Sequence, residues 1–218
     1  DVEGNRTVLA GFAFLSVGLA LKVALFPLHF WLPNAYSYAP SVTTSFLAAT
    51  ATKVSIYLIL RFMFTIVGVD RVFGLESVSD TFALLALLGI FIASTTAIFQ
   101  PNIKRMLAYS SIAQVGYIVL GISFASVTGL TGGLVHVFNH ALMKGGLFMV
   151  MGCFALRTGT TDLDDLRGLG KRMPLTAFAY VIGGLGMIGV PLTCGFVSKW
   201  YLVSAAFEQG SFAVGGLL

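Results

Sequence analysis

The sequence predicts an all-α, polytopic transmembrane bundle of about six helices, two of them discontinuous. Three observations carry this. Hydrophobic residues make up 57% of the 218-residue chain and charged residues 10%, against roughly 25% charged in ordinary soluble domains. The apolar residues gather into six runs, each long enough for a helix to cross a hydrocarbon core of about 30 Å. Period-two alternation is absent, so helices that satisfy their own backbone are preferred over barrel strands. Six crossings and short loops use up the length, leaving no separate soluble domain; residues 1–218 are expected to form one membrane domain.

The first run, residues 8–30, follows a polar stretch from Asp1 to Thr7 with no start methionine and no signal-peptide pattern; the chain reads as an internal fragment. This run carries Lys22, then Pro27. A proline inside a helix removes a hydrogen bond and leaves a carbonyl that something polar must satisfy, so Pro27 predicts a helix break. The second run, 42–67, holds Lys53 about a dozen residues in and Arg61 near its outer end, where arginine can snorkel to the interface. Runs 81–99 and 107–126 carry no charged residue. Run 130–156 carries His136, His140 and Lys144. The last, 174–207, holds Pro191 eight residues before Lys199, with Gly183, Gly184, Gly186, Gly189 and Gly195 around it, and predicts the second break. Interrupted helices pair with ion sites near the midplane in many transporters.

If the spans alternate in direction, the loops at 31–41, 100–106 and 157–173 share one side. That side carries Lys104, Arg105, Arg157, Arg167, Lys171 and Arg172, while the other offers chiefly Arg6, Arg61 and Arg71. Lys104 and Arg105 read as topology determinants. The positive-inside rule then puts loops 100–106 and 157–173 in the cytoplasm and Asp1 outside, as in a multi-pass protein of the cell inner (plasma) membrane. The net charge of +4 concentrates in these loops and implies no nucleic acid. Cys153 and Cys194 lie in apolar surroundings without metal-ligand spacing and are expected to be small buried hydrophobes.

Lys22, Lys53, Lys144 and Lys199 sit within the apolar runs, where no aspartate or glutamate accompanies them. An ammonium at the bilayer centre costs roughly 2.5 to 3.5 kcal/mol on insertion scales, so such residues mark functional sites. Either these amines are neutral, or their counter-charge lies in chain beyond these residues.

His136, His140 and Lys144 follow one another at spacings of four. Each step turns about 40° around a helix and rises about 6 Å, so the three form a shallow stripe on one face, with Asn139 about 100° away. Histidine changes charge near neutral pH and serves as a relay, and desolvation loosens a lysine's hold on its proton. A zinc pair is the weaker reading, lacking the HExxH glutamate and a usual third ligand. Haem would want facing histidines, and His29 beside Pro27 and Trp31 is the one other histidine. No cysteine set or glycine fingerprint for flavin, iron–sulfur cluster or nicotinamide is present. No cofactor and no metal are expected.

The runs LALKVALFPLHFWLPNAYSYAP (19–40), LAATATKVSIYLILRF (47–62), NIKRMLAYSSIAQVGYIVLG (102–121), HVFNHALMKGGLF (136–148) and GVPLTCGFVSKWYL (189–202) resemble the antiporter-type membrane subunits shared by NADH:quinone oxidoreductase (complex I) and the multisubunit Mrp cation/proton antiporters. The wording is closest to the D subunit of Mrp-like antiporters. The resemblance covers nearly the whole chain. It implies an inverted-repeat fold of about fourteen helices, of which this fragment would lack the N-terminal helices and the C-terminal end. By matching motif, Lys22 would be the lysine of the first broken helix, whose partner glutamate belongs upstream of Asp1. Lys53 would be the connecting lysine, His136, His140 and Lys144 the central relay, and Lys199 the terminal lysine of the second broken helix. Asn102 stands where many relatives carry an acidic residue, YAPSV lacks a second proline, and Lys199 differs from the glutamate of some subunits.

The resulting expectation is a proton-conducting subunit, not catalytic by itself, with a relay of Lys22, Lys53, His136, His140, Lys144 and Lys199 between helix breaks at Pro27 and Pro191. Its partners would be other membrane subunits of a hetero-oligomeric complex, the lipid bilayer, and protons with Na+ or K+. Membership of a complex I-type oxidoreductase is the alternative within this class, and a structural scaffold whose lysines anchor lipid or partner subunits is the alternative outside it.

Overall fold

A computed structural model describes residues 6–68 and 76–218; Asp1 and Arg71 lie outside the described residues. Helix α1 (Arg6–Val23) stops where Ala24 takes a left-handed conformation, φ 63°, and Leu25 N–H reaches back to the Ala20 carbonyl at 2.9 Å. The chain resumes as α2 (Trp31–Tyr38), with Pro33 in its first turn, where a missing N–H costs nothing. The break at Pro27 stands where the sequence places it, but the crossing does not end at residue 30. Segment 31–41, expected as a loop, is mostly the second half of a discontinuous helix.

Helix α3 (Ser41–Arg61) follows Pro40 and continues as a π-helical turn, Phe62–Val67. Three of its hydroxyls turn to its own backbone: Ser45, Thr50 and Ser55 donate to the carbonyls of Ser41, Phe46 and Ala51 at 2.8 to 2.9 Å, so these polar residues travel in an apolar span with their hydrogens satisfied. Helix α4 (Glu76–Ile98) leads to α5 (Ile103–Ser123), capped by Asn102, and α6 (Val127–Thr158), capped by Ser126 and stopped by left-handed Gly159. A four-residue helix, α7 (Leu169–Arg172), precedes α8 (Pro174–Ile188), α9 (Cys194–Glu208) and the short α10 (Phe212–Leu217).

Among the described residues four helices are long and apolar enough to cross a membrane: Ser41–Ile66, Ser79–Ile98, Ile103–Ser123 and Val127–Thr158. With the pairs α1/α2 and α8/α9 they make the expected polytopic bundle with two discontinuous crossings. Helix α5 is the axis, 78% buried against 28% for α4; α4 and α6 pack on it, and α6 also contacts α3, α8 and α9. The outward residues Phe14, Phe46, Leu84, Phe138, Leu142 and Phe178 are exposed apolar side chains, suited to lipid or a neighbouring subunit.

Three loops meet at one end. Lys104 Nζ donates to the Ala39 carbonyl at 3.0 Å, Asn102 and Asp162 form an antiparallel bridge, and Asn102 Nδ2 donates to Thr161 Oγ1 at 2.6 Å. Segments 31–41, 100–106 and 157–173 therefore share a side, as alternation of the spans predicts. At the other end the Gln209 side chain donates to the Phe124 carbonyl. Two expectations are corrected. Lys104, placed in the loop 100–106 by the sequence, is instead a buried tie in the first turn of α5, because its long stem lets the ammonium cap a carbonyl at the end of α2. Cys153 and Cys194 are exposed rather than buried; an apolar neighbourhood in sequence does not distinguish a core-facing from an outward-facing helical position.

The buried apolar residues fall into two clusters. One gathers Leu107, Ile112, Met143, Leu147, Phe148 and Met151; the other gathers Val115, Ile118, Leu120, Ile56, Ile90 and Ala205. On α5 the divide falls at Gln114 and on α6 between Val137 and Met143. The polar residues of the middle occupy this divide.

Candidate functional site

The site is built on α6. Its spacing of four sets His136, His140 and Lys144 on one face, and each is 0% exposed. The His136 and His140 rings lie nearly parallel, 12° apart with centroids at 6.2 Å. His136 Nε2 is 2.7 Å from Gln114 Oε1 of α5, and its Nδ1 is 2.8 Å from Ser198 Oγ of α9. Neither ring nitrogen of His140 has a hydrogen-bond partner among the described residues. Lys144 Nζ donates to the Leu107 carbonyl at 2.6 Å and to Ser110 Oγ at 2.5 Å, both on α5. The Leu107 carbonyl also accepts the hydroxyls of Ser110 and Ser111 at 2.9 and 3.0 Å.

Lys53 enters from α3. It is 8% exposed and donates to the Ala48 carbonyl of its own helix, which packs against α6. Beside it, Thr52 Oγ1 is buried without a partner among the described residues.

Lys199 enters from α9 and is half-buried. Its ammonium donates to the Ile188 carbonyl at 2.9 Å and sits 4.5 Å from the centre of the Tyr117 ring, a cation–π distance. The same tyrosine ring is 5.9 Å from His136. The break itself is made by glycine: Gly189 has φ +86°, and a Cβ there would come 2.8 Å from Lys199 Cδ. At Gly195 a Cβ would stand 1.8 Å from the Gly186 carbonyl oxygen, so the two half-helices approach backbone to backbone. Asn139 Nδ2 donates to the Cys194 carbonyl at 2.7 Å, pinning the start of α9 to α6.

The structure thus brings together Lys53, His136, His140, Lys144 and Lys199. Lys22 stands apart, in the last turn of α1 with an exposed side chain. His29 is buried at the first break, stacked near Phe26 and Phe30 with ring centroids at 5.4 and 4.5 Å, and its Nδ1 has no partner among the described residues. The break at Pro27 is served by Trp31, whose Nε1–H donates to the Leu21 carbonyl at 2.9 Å. Pro27 and Pro191 lie in the two interruptions, and each interruption receives a side-chain donor, Trp31 in one and Lys199 in the other.

Sequence reasoning missed Gln114, Ser198, Ser110, Tyr117 and Trp31. Gln114, an amide inside an apolar span, was the available signal. Among the described residues no group of three or more His, Cys, Asp or Glu side chains is arranged to hold a metal ion. Arg167 and Asp164 form an ion pair at 2.7 Å, at the surface. What the assembly offers is a largely buried series of amines, imidazoles and hydroxyls.

The family described as NADH:quinone oxidoreductase/Mrp antiporter, transmembrane, matches residues 2–217. Subunit N of the NADH-quinone oxidoreductase of Desulforudis audaxviator is 46% identical over 211 residues, 95% of this chain and 41% of that protein. Subunit N of the F(420)H(2) dehydrogenase of Methanosarcina mazei is 34% identical, over 96% of this chain and 43% of that one. Among solved structures, a chain of the Mrp complex from Dietzia superposes with a TM-score of 0.90 at 29% identity, covering 99% of this chain and 39% of its own. A chain of an archaeal membrane-bound sulfane sulfur reductase superposes with a TM-score of 0.85 at 39% identity, covering 93% and 41%. The chain spans about two fifths of the length of these relatives. It belongs to the NADH:quinone oxidoreductase/Mrp antiporter family of multi-pass membrane subunits.

Proposed function

We propose that this chain is the proton-conducting part of a membrane subunit in a complex I-type respiratory assembly. Protons pass along the midplane through Lys22, Lys53, His136, His140, Lys144 and Lys199, with neighbouring membrane subunits supplying the driving energy. The observation that carries this is the burial of His136, His140 and Lys144 along one face of α6, spanning the divide between the two apolar clusters, with no carboxylate bonded to them among the described residues. Three titratable groups withdrawn from water are costly to keep for packing alone. In this reading the exposed Lys22 takes its counter-charge from a carboxylate outside these residues.

The subunit N relatives support a redox-driven assembly. The fit to the Mrp complex supports a second reading, a D-like subunit of a cation/proton antiporter exchanging protons for Na+ or K+. The two differ in the energy source: proton movement driven by a reduced electron donor favours the first, and movement driven by an imposed cation gradient favours the second. In either, the basic side, with Lys104, Arg105, Arg157, Arg167, Lys171 and Arg172, faces the cytoplasm of a plasma membrane. The test is Lys144→Ala and Lys199→Ala in the complete protein, assembled and reconstituted in vesicles. Coupled proton movement should be lost with assembly intact; undiminished movement in both variants would defeat the relay.

A further inference from the structure

His136 is held from both sides, and the chemistry of its two partners differs. On one side stands Gln114 Oε1 at 2.7 Å. A carbonyl oxygen only accepts, so His136 Nε2 carries its hydrogen whether the ring is neutral or charged. The nitrogen that gains and loses a proton is therefore Nδ1, which faces Ser198 Oγ at 2.8 Å.

Ser198 Oγ has a second neighbour, the Gly195 carbonyl of its own helix, at 3.0 Å. One hydroxyl has one hydrogen to give. When His136 is neutral, Ser198 donates to the bare Nδ1. When His136 is charged, Nδ1–H donates to Ser198 Oγ, and the hydroxyl hydrogen turns to the Gly195 carbonyl. Both arrangements satisfy every group, which a site with fixed donors could not do. Ser198 is 0% exposed, so no exposed surface competes for this hydrogen. Its position joins two elements: α6, which carries His136, and the first turns of α9. The adjacent residue is Lys199, and Gly195 is the residue packed against the Gly186 carbonyl across the break.

We propose that Gln114 and Ser198 are positioning residues, Gln114 fixing which nitrogen of His136 titrates and Ser198 acting as a hydroxyl rotor that ties the charge of His136 to the broken crossing. No bond to Ser198 other than its hydrogen bond is made or broken, and its own hydrogen stays on Oγ. This rests on the relay reading, in which His136 changes charge.

The test uses the complete protein in its assembled complex, labelled with 15N-histidine, with the His136 signal assigned by its loss in His136→Gln. In the wild type the neutral ring should carry its hydrogen on Nε2, with Nδ1 accepting a hydrogen bond; a hydrogen on Nδ1 of the neutral ring would overturn the inference whatever any variant does. Ser198→Ala should lower coupled proton movement tenfold or more and move the Nδ1 signal toward that of a free nitrogen, while Ser198→Thr, which keeps the hydroxyl, should restore both. Wild-type transport and an unmoved Nδ1 signal in an assembled Ser198→Ala complex would overturn it. Failure of the relay itself looks different: Lys144→Ala and Lys199→Ala would transport normally while Ser198→Ala still moved the His136 signal.

Discussion

Lys199 reaches back across the interruption in its own crossing, donating from Nζ to the Ile188 carbonyl at 2.9 Å. Ile188 is the last residue of α8, and the terminal carbonyls of a helix have no partner within it. In a hydrocarbon setting such a carbonyl is costly to leave bare. One amine thus closes the helix end and stands within cation–π distance of Tyr117, the aromatic neighbour of His136.

At the first interruption Trp31 does the equivalent work for the Leu21 carbonyl. Trp31→Phe keeps the ring and removes the donor, and should destabilise the fold by about 0.5 to 1.5 kcal/mol, the typical net worth of one hydrogen bond. Thermal unfolding of the purified protein measures it.

The close approach at the second interruption depends on the absence of a side chain at Gly195. Gly195→Ala sets a Cβ against the backbone oxygen of Gly186, which cannot swing aside as a side-chain tip would. We expect a loss of about 1 to 3 kcal/mol or more, the range for overpacking. Gly146→Ala on α6 meets nothing within 4 Å and should be neutral or slightly stabilising, since glycine inside a helix costs roughly 0.5 to 1 kcal/mol relative to alanine. Parallel thermal unfolding of the two variants makes the comparison.

The shared end of the bundle gives a prediction about sidedness. A cysteine placed at the exposed Asp164 in a background lacking Cys153 and Cys194 should react with a membrane-impermeant maleimide from the cytoplasmic face. Labelling of inverted vesicles but not of intact cells is the expected result.

The bundle was legible because membrane helices announce themselves by length and by what they exclude. Both interruptions were legible because Pro27 and Pro191 cannot continue a hydrogen-bond ladder. The stripe on α6 was legible because a spacing of four fixes a face. What the stripe touches was not. Gln114 is 22 residues from His136 and Ser198 is 62 away, and only the packing of α5 and α9 against α6 brings them to one imidazole. The continuation of the first crossing through Trp31–Tyr38 was hidden by Pro33, which reads as a breaker yet is harmless in a first turn. The burial of Lys104 and the exposure of both cysteines depend on which way a helix faces, and a run apolar on every side does not state that.

Replacing Lys144 by methionine removes the amine while keeping a long apolar side chain. The Leu107 carbonyl retains the hydroxyls of Ser110 and Ser111, so no acceptor is stranded. The variant should fold and assemble, and its coupled proton movement should fall at least about tenfold, equivalent to about 1.4 kcal/mol in the barrier. A pH-sensitive dye enclosed in reconstituted vesicles reads the effect.

The most direct test is proton movement by the assembled complex carrying Lys199→Arg. Arginine keeps the charge and a donor for the Ile188 carbonyl but does not give up its proton. If Lys199 passes protons, the complex should assemble fully and its coupled proton movement should fall at least about tenfold. Proton movement at the wild-type rate would contradict the account and leave Lys199 as a structural clasp.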